Sequence, residues 1–247
     1  RRAASYKRSD LILRDEARLE KLLGDQNVRI VFAGKAHPDD QTGRNIVAKL
    51  VANTKKHPGQ VIFLENYDMS LGRALTRGCD VWLNNPIRPL EASGTSGMKA
   101  AMNGVLNASI MDGWWDEGYA RNNGFAIGNG EEYTDVSSSD AERLEYQDAV
   151  ESHALYHILE QEIIPIYYRR GEDGLPHEWL KIVKNSLRTL CPFFNTNRMV
   201  EDYIRQAYVP SHDRHEAQVV RLIGRLTGRL IGPAGAQKKY DVGGVLL

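Results

Sequence analysis

Asp80-Val81-Trp82-Leu83-Asn84-Asn85-Pro86, then Glu91-Ala92-Ser93-Gly94-Thr95-Ser96-Gly97-Met98-Lys99-Ala100-Ala101-Met102-Asn103-Gly104, then Val105 to Met111, is the stretch that decides the fold. A short apolar run ends in polar residues, a turn rich in glycine and hydroxyls leads into helix-forming sequence, and a second apolar run follows. That order is a strand, a crossover helix and another strand, the unit of parallel sheets. Gly94 and Gly97 let a ligand approach the backbone closely, Thr95 and Ser96 bring hydroxyls and N–H groups, and a helix starting there adds its positive end. The turn therefore reads as an anion site, bracketed by the carboxylate of Glu91 and the amine of Lys99.

Upstream, the same alternation repeats. Val28 to Ala33 reads as a buried strand running into Gly34-Lys35, with a helix through Ile46, Val47, Leu50 and Val51 behind it. Gln60 to Leu64 is a second strand, ending at Glu65-Asn66-Tyr67 and followed by a helix around Leu71 to Leu75. The expected fold class is α/β, a Rossmann-like parallel sheet with helices on both faces and a helical layer at the carboxyl end. In such sheets ligands sit outside the carboxyl ends of the strands. Gly34-Lys35, Asn66-Tyr67, Asn84-Asn85 and the glycine-rich turn are then all expected at one crevice.

At the amino end, Arg1-Arg2-Ala3-Ala4-Ser5-Tyr6-Lys7-Arg8 precedes a helical pattern through Leu11, Leu19, Leu22 and Leu23, with Ser9 or Asp10 as its cap. Two readings of these cations stand side by side: a solvated basic terminus, and a clamp for an oxyanion. Beyond Met111, Asp112-Gly113-Trp114-Trp115-Asp116-Glu117-Gly118 opens a loop-like region; the paired tryptophans suit either a sugar ring or the core, with the core preferred. The acidic residues there have no fitting histidine or second carboxylate cluster, and no metal is assigned. From Ser139 the pattern is helical: Asp140 to Tyr167 with apolar spacing up to Pro165, His177 to Leu190, and Asn197 to Tyr208. The expected divisions are 1–138 for the sheet with its phosphate-binding loops, 139–218 for helices packed on it, and 219–247 for a tail to which no function is given.

Composition bounds the partners. The 247 residues are 42% hydrophobic and 26% charged, with 32 Lys plus Arg against 32 Asp plus Glu, so no global field argues for nucleic acid or an anionic membrane. No apolar run approaches the ~20 residues of a bilayer span. Cys79 and Cys191 fit neither a metal spacing nor a disulfide scaffold, which suits a reducing, cytoplasmic setting and filler roles. The chain begins Arg1-Arg2 without a methionine, and is expected to be a piece of a longer protein.

A lysine beside a phosphate cradle suggests a phosphate-bearing aldehyde cofactor, pyridoxal phosphate, held as a Schiff base. A nucleotide-phosphate loop is the competing reading, although Ala100 follows Lys99 where a Walker loop has Ser or Thr.

The run Glu91 to Lys99 resembles the pyridoxal-phosphate segment of the glycogen, starch and maltodextrin phosphorylases. Arg1-Arg2 with Tyr6-Lys7-Arg8, Gly34-Lys35-Ala36 with Pro38, and Phe63-Leu64-Glu65-Asn66-Tyr67 resemble further segments of that family in the same order. The resemblance covers roughly the first 120 residues. It implies Lys99 as the Schiff-base lysine, with Thr95, Ser96, Tyr67 and Arg1 around the cofactor's phosphate. Arg2 and Lys7 are implied as cations for substrate phosphate, and Glu91, Ser93, Gly94 and Tyr6 as contacts to the glucosyl hydroxyls.

The implied reaction is phosphorolysis of an α-1,4-glucan end to glucose 1-phosphate with retained configuration, in which two phosphates in contact are compensated by Arg2, Lys7 and the helix terminus. Ser96-Gly97 before Met98-Lys99, where the large animal and plant members commonly have Gly-Asn, together with Asp68 in place of a frequent arginine, suggests a short, bacterial-type branch. Only the carboxyl-terminal of the family's two facing sheet domains is matched. The expectation is therefore a catalytic-domain fragment that is inactive without its amino-terminal half and whose oligomeric state is open. Two other readings are kept: a nucleotide-sugar glycosyltransferase of the same architecture, which has no use for a Schiff base at Lys99, and a non-catalytic glucan-binding or assembly module.

Overall fold

The computed structural model describes residues 2–25, 27–133 and 139–226, so the expectations for Arg1 and for 227–247 fall outside the described residues. The chain divides into two compact units after Phe194. The first opens with two 3₁₀ turns, Ser5–Lys7 and Leu11–Leu13, and then α1 (Glu16–Asp25). The expected caps differ from those found. Leu11, Ile12 and Leu13 are all buried, a pattern no amphipathic helix has, so the α-helix starts later. Its first turn is capped by Asp15, which accepts the Arg18 amide at 3.0 Å, while Asp10 pairs with Lys49 at 2.8 Å.

Strands and helices then alternate: β1 (Ile30–Ala33), α2 (Gln41–Lys56), β2 (Val61–Leu64), α3 (Met69–Gly78), β3 (Val81–Asn84), α4 (Thr95–Met102), β4 (Leu106–Ile110), α5 (Trp114–Gly118) and β5 (Phe125–Ile127). All pairings are parallel. The protein is α/β, with parallel sheets flanked by helices in a Rossmann-like arrangement. Asp40 and Asp68 cap α2 and α3 by accepting the Gly43 and Leu71 amides at 2.8 and 2.7 Å, which satisfies N–H groups that a helix start leaves open. Asp68 thus has a structural use as the cap of α3.

The pairing order is β2-β1 in one sheet and β3-β4-β5 in another. β4 is the middle strand of its sheet and is buried along its whole length, as a parallel strand covered on both faces should be. Leu106, Ala108 and Ile110 enter the main core with Phe125, Ile127, Leu155, Tyr156 and Trp179. β5 was not foreseen: three residues between Asn122-Asn123-Gly124 and the glycines at 128 and 130 carry too short a pattern to be read as a strand.

The unit closes with helices. Ser139 and Glu142 form a reciprocal capping box at the start of α6 (Asp140–Ile158). A π-helical turn over Leu159–Ile163 leads into α7 (Ile164–Tyr168), so the helical run passes through Pro165 and ends within one residue of the expected Tyr167. Pro165 sits in the first turn of α7, where a missing N–H costs little. α8 (His177–Phe193) packs on α4 and β4.

The second unit holds α9 (Thr196–Tyr203), a π-helical turn over Ile204–Tyr208 and α10 (Val209–Leu226). The helix expected to end at Tyr208 thus runs on, and Val219 and Ile223 of α10 are exposed. No helix among the described residues is long and apolar enough to cross a membrane.

Candidate functional site

The site grows from the amino-terminal turn. Its backbone joins the sheet where Arg2 bridges Lys35 in parallel and the Ala3 amide donates to the Lys35 carbonyl at 2.9 Å. Arg8 then anchors it. The guanidinium is buried at 4% exposure and donates to the carbonyls of Asn85 and Pro86 at 3.1 and 2.8 Å, to Asp148 at 2.8 Å, and to Glu151. Asn85 Nδ2 returns a bond to the Arg8 carbonyl, and the Ile87 amide donates to the Tyr6 carbonyl at 2.7 Å. The loop after β3 is therefore bolted to the turn that carries Tyr6 and Lys7. Burial pushes the Glu151 carboxyl above its usual range, and the neighbouring Arg8 charge opposes that shift.

Held this way, Lys7 donates to the Glu91 carboxylate and lies 4.8 Å from the centre of the Tyr6 ring. Glu91 is fixed from behind. Asp112 Oδ2 accepts the Glu91 amide and Oδ1 the Gly113 amide, each at 2.8 Å, and the Trp114 amide donates to the Ser93 carbonyl at 2.8 Å. Gly113 has φ 57°, and a Cβ there would lie 2.5 Å from the Ser93 carbonyl oxygen, so only glycine allows the loops after β3 and β4 to approach this closely.

Two of the acidic residues noted in the sequence are accounted for by these contacts, Asp112 by the amides it accepts and Asp116 by its pair with Arg88 at 3.1 Å. No cluster of metal-ligating type occurs among the described residues. Trp114 and Trp115 belong to the core, at 4% and 0% exposure, packed with Ala101, Leu190 and Phe194.

From Gly94, left-handed at φ 92°, α4 begins with no side chain capping it. Its first N–H groups at Thr95 and Ser96 are thus available to an anion. Gly97 presses against the sheet: a Cβ would meet Asn107 Oδ1 at 2.5 Å and Trp114 Nε1 at 2.9 Å. Lys99 is exposed and forms no ion pair among the described residues; it follows Thr95 by one helical turn on the same face.

Arg2, Lys7 and Tyr67 share a cavity of ≈ 510 Å³ with Gly34, Asn84 and Asn85. Lys7 links that cavity to Glu91 and Tyr6. Thr95, Ser96, Lys99, Ser93 and Gly94 lie on the next loop and helix and do not line it. Arg8, Asp112, Asp148 and Glu151 were missed as site-building residues. Their one sequence signal is in α6, where Gln147 and Glu151 continue the four-residue spacing of buried Leu155: a carboxylate in an apolar stripe implies a buried partner. Cys79 and Cys191 are free and partly buried, and burial raises both thiols, in keeping with filler.

Comparison with known proteins adds to this geometry. A family described as carbohydrate phosphorylase matches residues 5–210. The chain is 47% identical over 213 residues to a glycogen phosphorylase of Aquifex aeolicus, covering 84% of this chain and 29% of that protein. It is 45% identical over 215 residues to a glycogen phosphorylase of Mycobacterium bovis, covering 85% and 24%. To a maltodextrin phosphorylase of Thermococcus litoralis it is 44% identical over 212 residues, covering 84% and 24%. The chain thus spans 24–29% of the length of these curated relatives.

Proposed function

The chain belongs to the carbohydrate phosphorylase family, and from that premise we propose that it is the carboxyl-terminal catalytic domain of an α-1,4-glucan phosphorylase, acting on glucan ends and inorganic phosphate in the cytoplasm to release glucose 1-phosphate. The observation that carries this reading is the start of α4: a helix terminus with no side-chain cap, glycines at 94 and 97, and Lys99 exposed one turn on. Those residues fit pyridoxal phosphate. Thr95 and Ser96 would hold its phosphate with their N–H groups, Tyr67 and Arg1 would add to that shell, and Lys99 would be the covalent attachment point. When bound, the cofactor supplies a phosphate group that exchanges a proton with the substrate phosphate.

The protein's own groups do the rest. Arg2 and Lys7 bring cationic compensation to the substrate phosphate, which two phosphates in proximity demand. Glu91, held by Asp112 and paired with Lys7, is placed to accept hydrogen bonds from sugar hydroxyls, with Ser93, Gly94 and Tyr6 beside it. The Lys7–Glu91 pair couples the phosphate and sugar halves of the site: an arriving phosphate competes with Glu91 for the Lys7 ammonium and leaves the carboxylate to the sugar. In this reading 1–138 carries the chemistry, 139–218 supports it, and 219–247 has no assigned part. The isolated chain is inactive, because the facing domain that completes the glucan cleft is not part of it.

Borohydride reduction of the full-length protein followed by peptide mapping tests the reading. A pyridoxyl group on Lys99 is the expected result. Its absence there would overturn the proposal and favour a nucleotide-sugar transferase or a non-catalytic glucan-binding module.

A further inference from the structure

Lys7 and Arg8 are adjacent, yet their side chains serve different parts of the fold. Lys7 reaches Glu91, while the buried Arg8 guanidinium is held by the carbonyls of Asn85 and Pro86 and by two carboxylates of α6, Asp148 and Glu151. Arg8 is also left-handed, at φ 41° and ψ 49°, where it ends the 3₁₀ turn Ser5–Lys7. A residue with a Cβ is disfavoured in that conformation and keeps it only where surrounding contacts over-determine it.

Those contacts come largely from one helix. Glu145, Asp148 and Glu151, spaced by three residues along α6, meet Arg14 and Arg8. Further along, Tyr156 Oη donates to the Ile12 carbonyl at 2.5 Å. Of the three carboxylates only Glu151 is buried. Gln147 Nε2 donates to its Oε1 at 3.0 Å, which leaves Oε2 to Arg8. A buried charge pair with its remaining oxygen satisfied is a rigid fixing point, whereas the Arg14–Glu145 pair, with Glu145 70% exposed, holds little.

We propose that Glu151 is a positioning residue for phosphate binding: through Arg8 it locks the amino-terminal turn in the left-handed conformation that sets Lys7 against Glu91, beside the cavity that Lys7 lines with Arg2. The inference rests on the reading of Lys7 as a cation for substrate phosphate. Without the Glu151 charge, Arg8 keeps two carbonyls and the partly exposed Asp148, and the disfavoured backbone at residue 8 is no longer outweighed. The turn then relaxes and takes the Lys7 ammonium out of register with Glu91.

Steady-state kinetics of the full-length protein with inorganic phosphate test this. Glu151→Gln is expected to raise the KM for phosphate about fivefold, with kcat at saturating phosphate within about twofold of wild type and the pyridoxyl label still on Lys99. Glu151→Asp, which keeps the charge but withdraws it by one methylene, should fall in between, and Glu145→Gln should leave the KM unchanged. Added to Lys7→Met, Glu151→Gln should raise the KM no further, because its effect passes through that ammonium. An unchanged KM in Glu151→Gln, or increases that add in the double variant, overturn the proposal.

The reactivity of Lys7 separates this outcome from a failure of the phosphorylase reading. With formaldehyde and cyanoborohydride, Lys7 is expected to be methylated about tenfold faster in Glu151→Gln than in wild type, whatever the activity. Equal rates overturn the proposal. An unlabelled Lys99 in wild type, with the Lys7 difference intact, would overturn the phosphorylase reading and leave the positioning of Lys7 by Glu151 standing. Should Glu151→Gln fail to fold, Glu151→Asp is compared with wild type by the same two measures.

Discussion

Lys7 and Glu91, 84 positions apart in the chain, form a direct ion pair with side chains only 12% and 8% exposed. Removing either partner leaves a poorly solvated charge behind, at a cost of about 3–5 kcal/mol. In the full-length protein, Lys7→Met and Glu91→Gln are each expected to destabilise, and the double variant to lose less than their sum in chemical denaturation. In kinetics, Lys7→Met should raise the KM for phosphate at least tenfold, while the borohydride label stays on Lys99. An additive denaturation cycle would show that the two side chains do not act as a pair.

Lys99 and Arg2 are given separate jobs, and their variants should part accordingly. Lys99→Ala is expected to lose the pyridoxyl label and activity together. Arg2→Ala should keep the label and shift only the phosphate requirement. Equal loss of label in both would contradict that division.

Arg8 is expected to be the most stability-sensitive cation of the amino-terminal turn. Arg8→Met strands Glu151 and Asp148 and should cost about 3–5 kcal/mol in urea unfolding. Glu151 is raised by burial above its ordinary value of 4.5, so the folded state holds its proton longer than the unfolded one. Stability from this group is therefore lost as pH rises from 4.5 through the folded value. Without Arg8 that value climbs further, and the deficit of Arg8→Met relative to wild type should be small in acid and grow as the pH is raised. A deficit independent of pH would assign the effect to packing alone.

Gly97→Ala tests the seating of α4. Its Cβ would stand 2.5 Å from Asn107 Oδ1 and 2.9 Å from Trp114 Nε1, neither of which is a loose side-chain end. A loss of about 1–3 kcal/mol is expected, with a reduced yield of label on Lys99 because the helix start is displaced. Full labelling at wild-type stability would show that the contact relaxes freely.

Arg18 and Glu160 make a two-pronged pair, at 3.0 and 2.8 Å, and Arg18 holds the Glu160 carboxyl below its ordinary value of 4.5. A lowered folded value stabilises above the unfolded value and is lost as pH falls through the folded one. Arg18→Gln should therefore be less stable than wild type at neutral pH, by about 1 kcal/mol or less for a pair whose side chains are 22% and 24% exposed. The two melting curves should converge in acid, and a gap that persists there would refute the linkage.

The alternation of strands and helices was legible because each element carries its own period: β1 to β4 and α2 to α4 fall where apolar runs, amphipathic stretches and glycines place them. β5 was not, since three residues hold no period. The cap of α1 was misplaced because buried Leu11, Ile12 and Leu13 mimic the start of a helix. In the site, Glu91 to Lys99 announced itself through composition, whereas Arg8 and Glu151 did not: their meaning is a contact across 143 positions that no local pattern encodes.

By itself the sequence determined the fold class, the family resemblance and the residues able to hold a phosphate beside a lysine, because side-chain chemistry and local periodicity are properties of neighbouring residues. Only the tertiary structure decided which of them meet: that Lys7 pairs with Glu91, that Asp112 and Trp114 hold the loop in front of α4, and that buried Arg8 ties the amino-terminal turn to the loop after β3 and to α6. Those relationships depend on hydrogen bonds and burial between segments far apart in the chain, and they exist only once the sheets have placed the loops at one end.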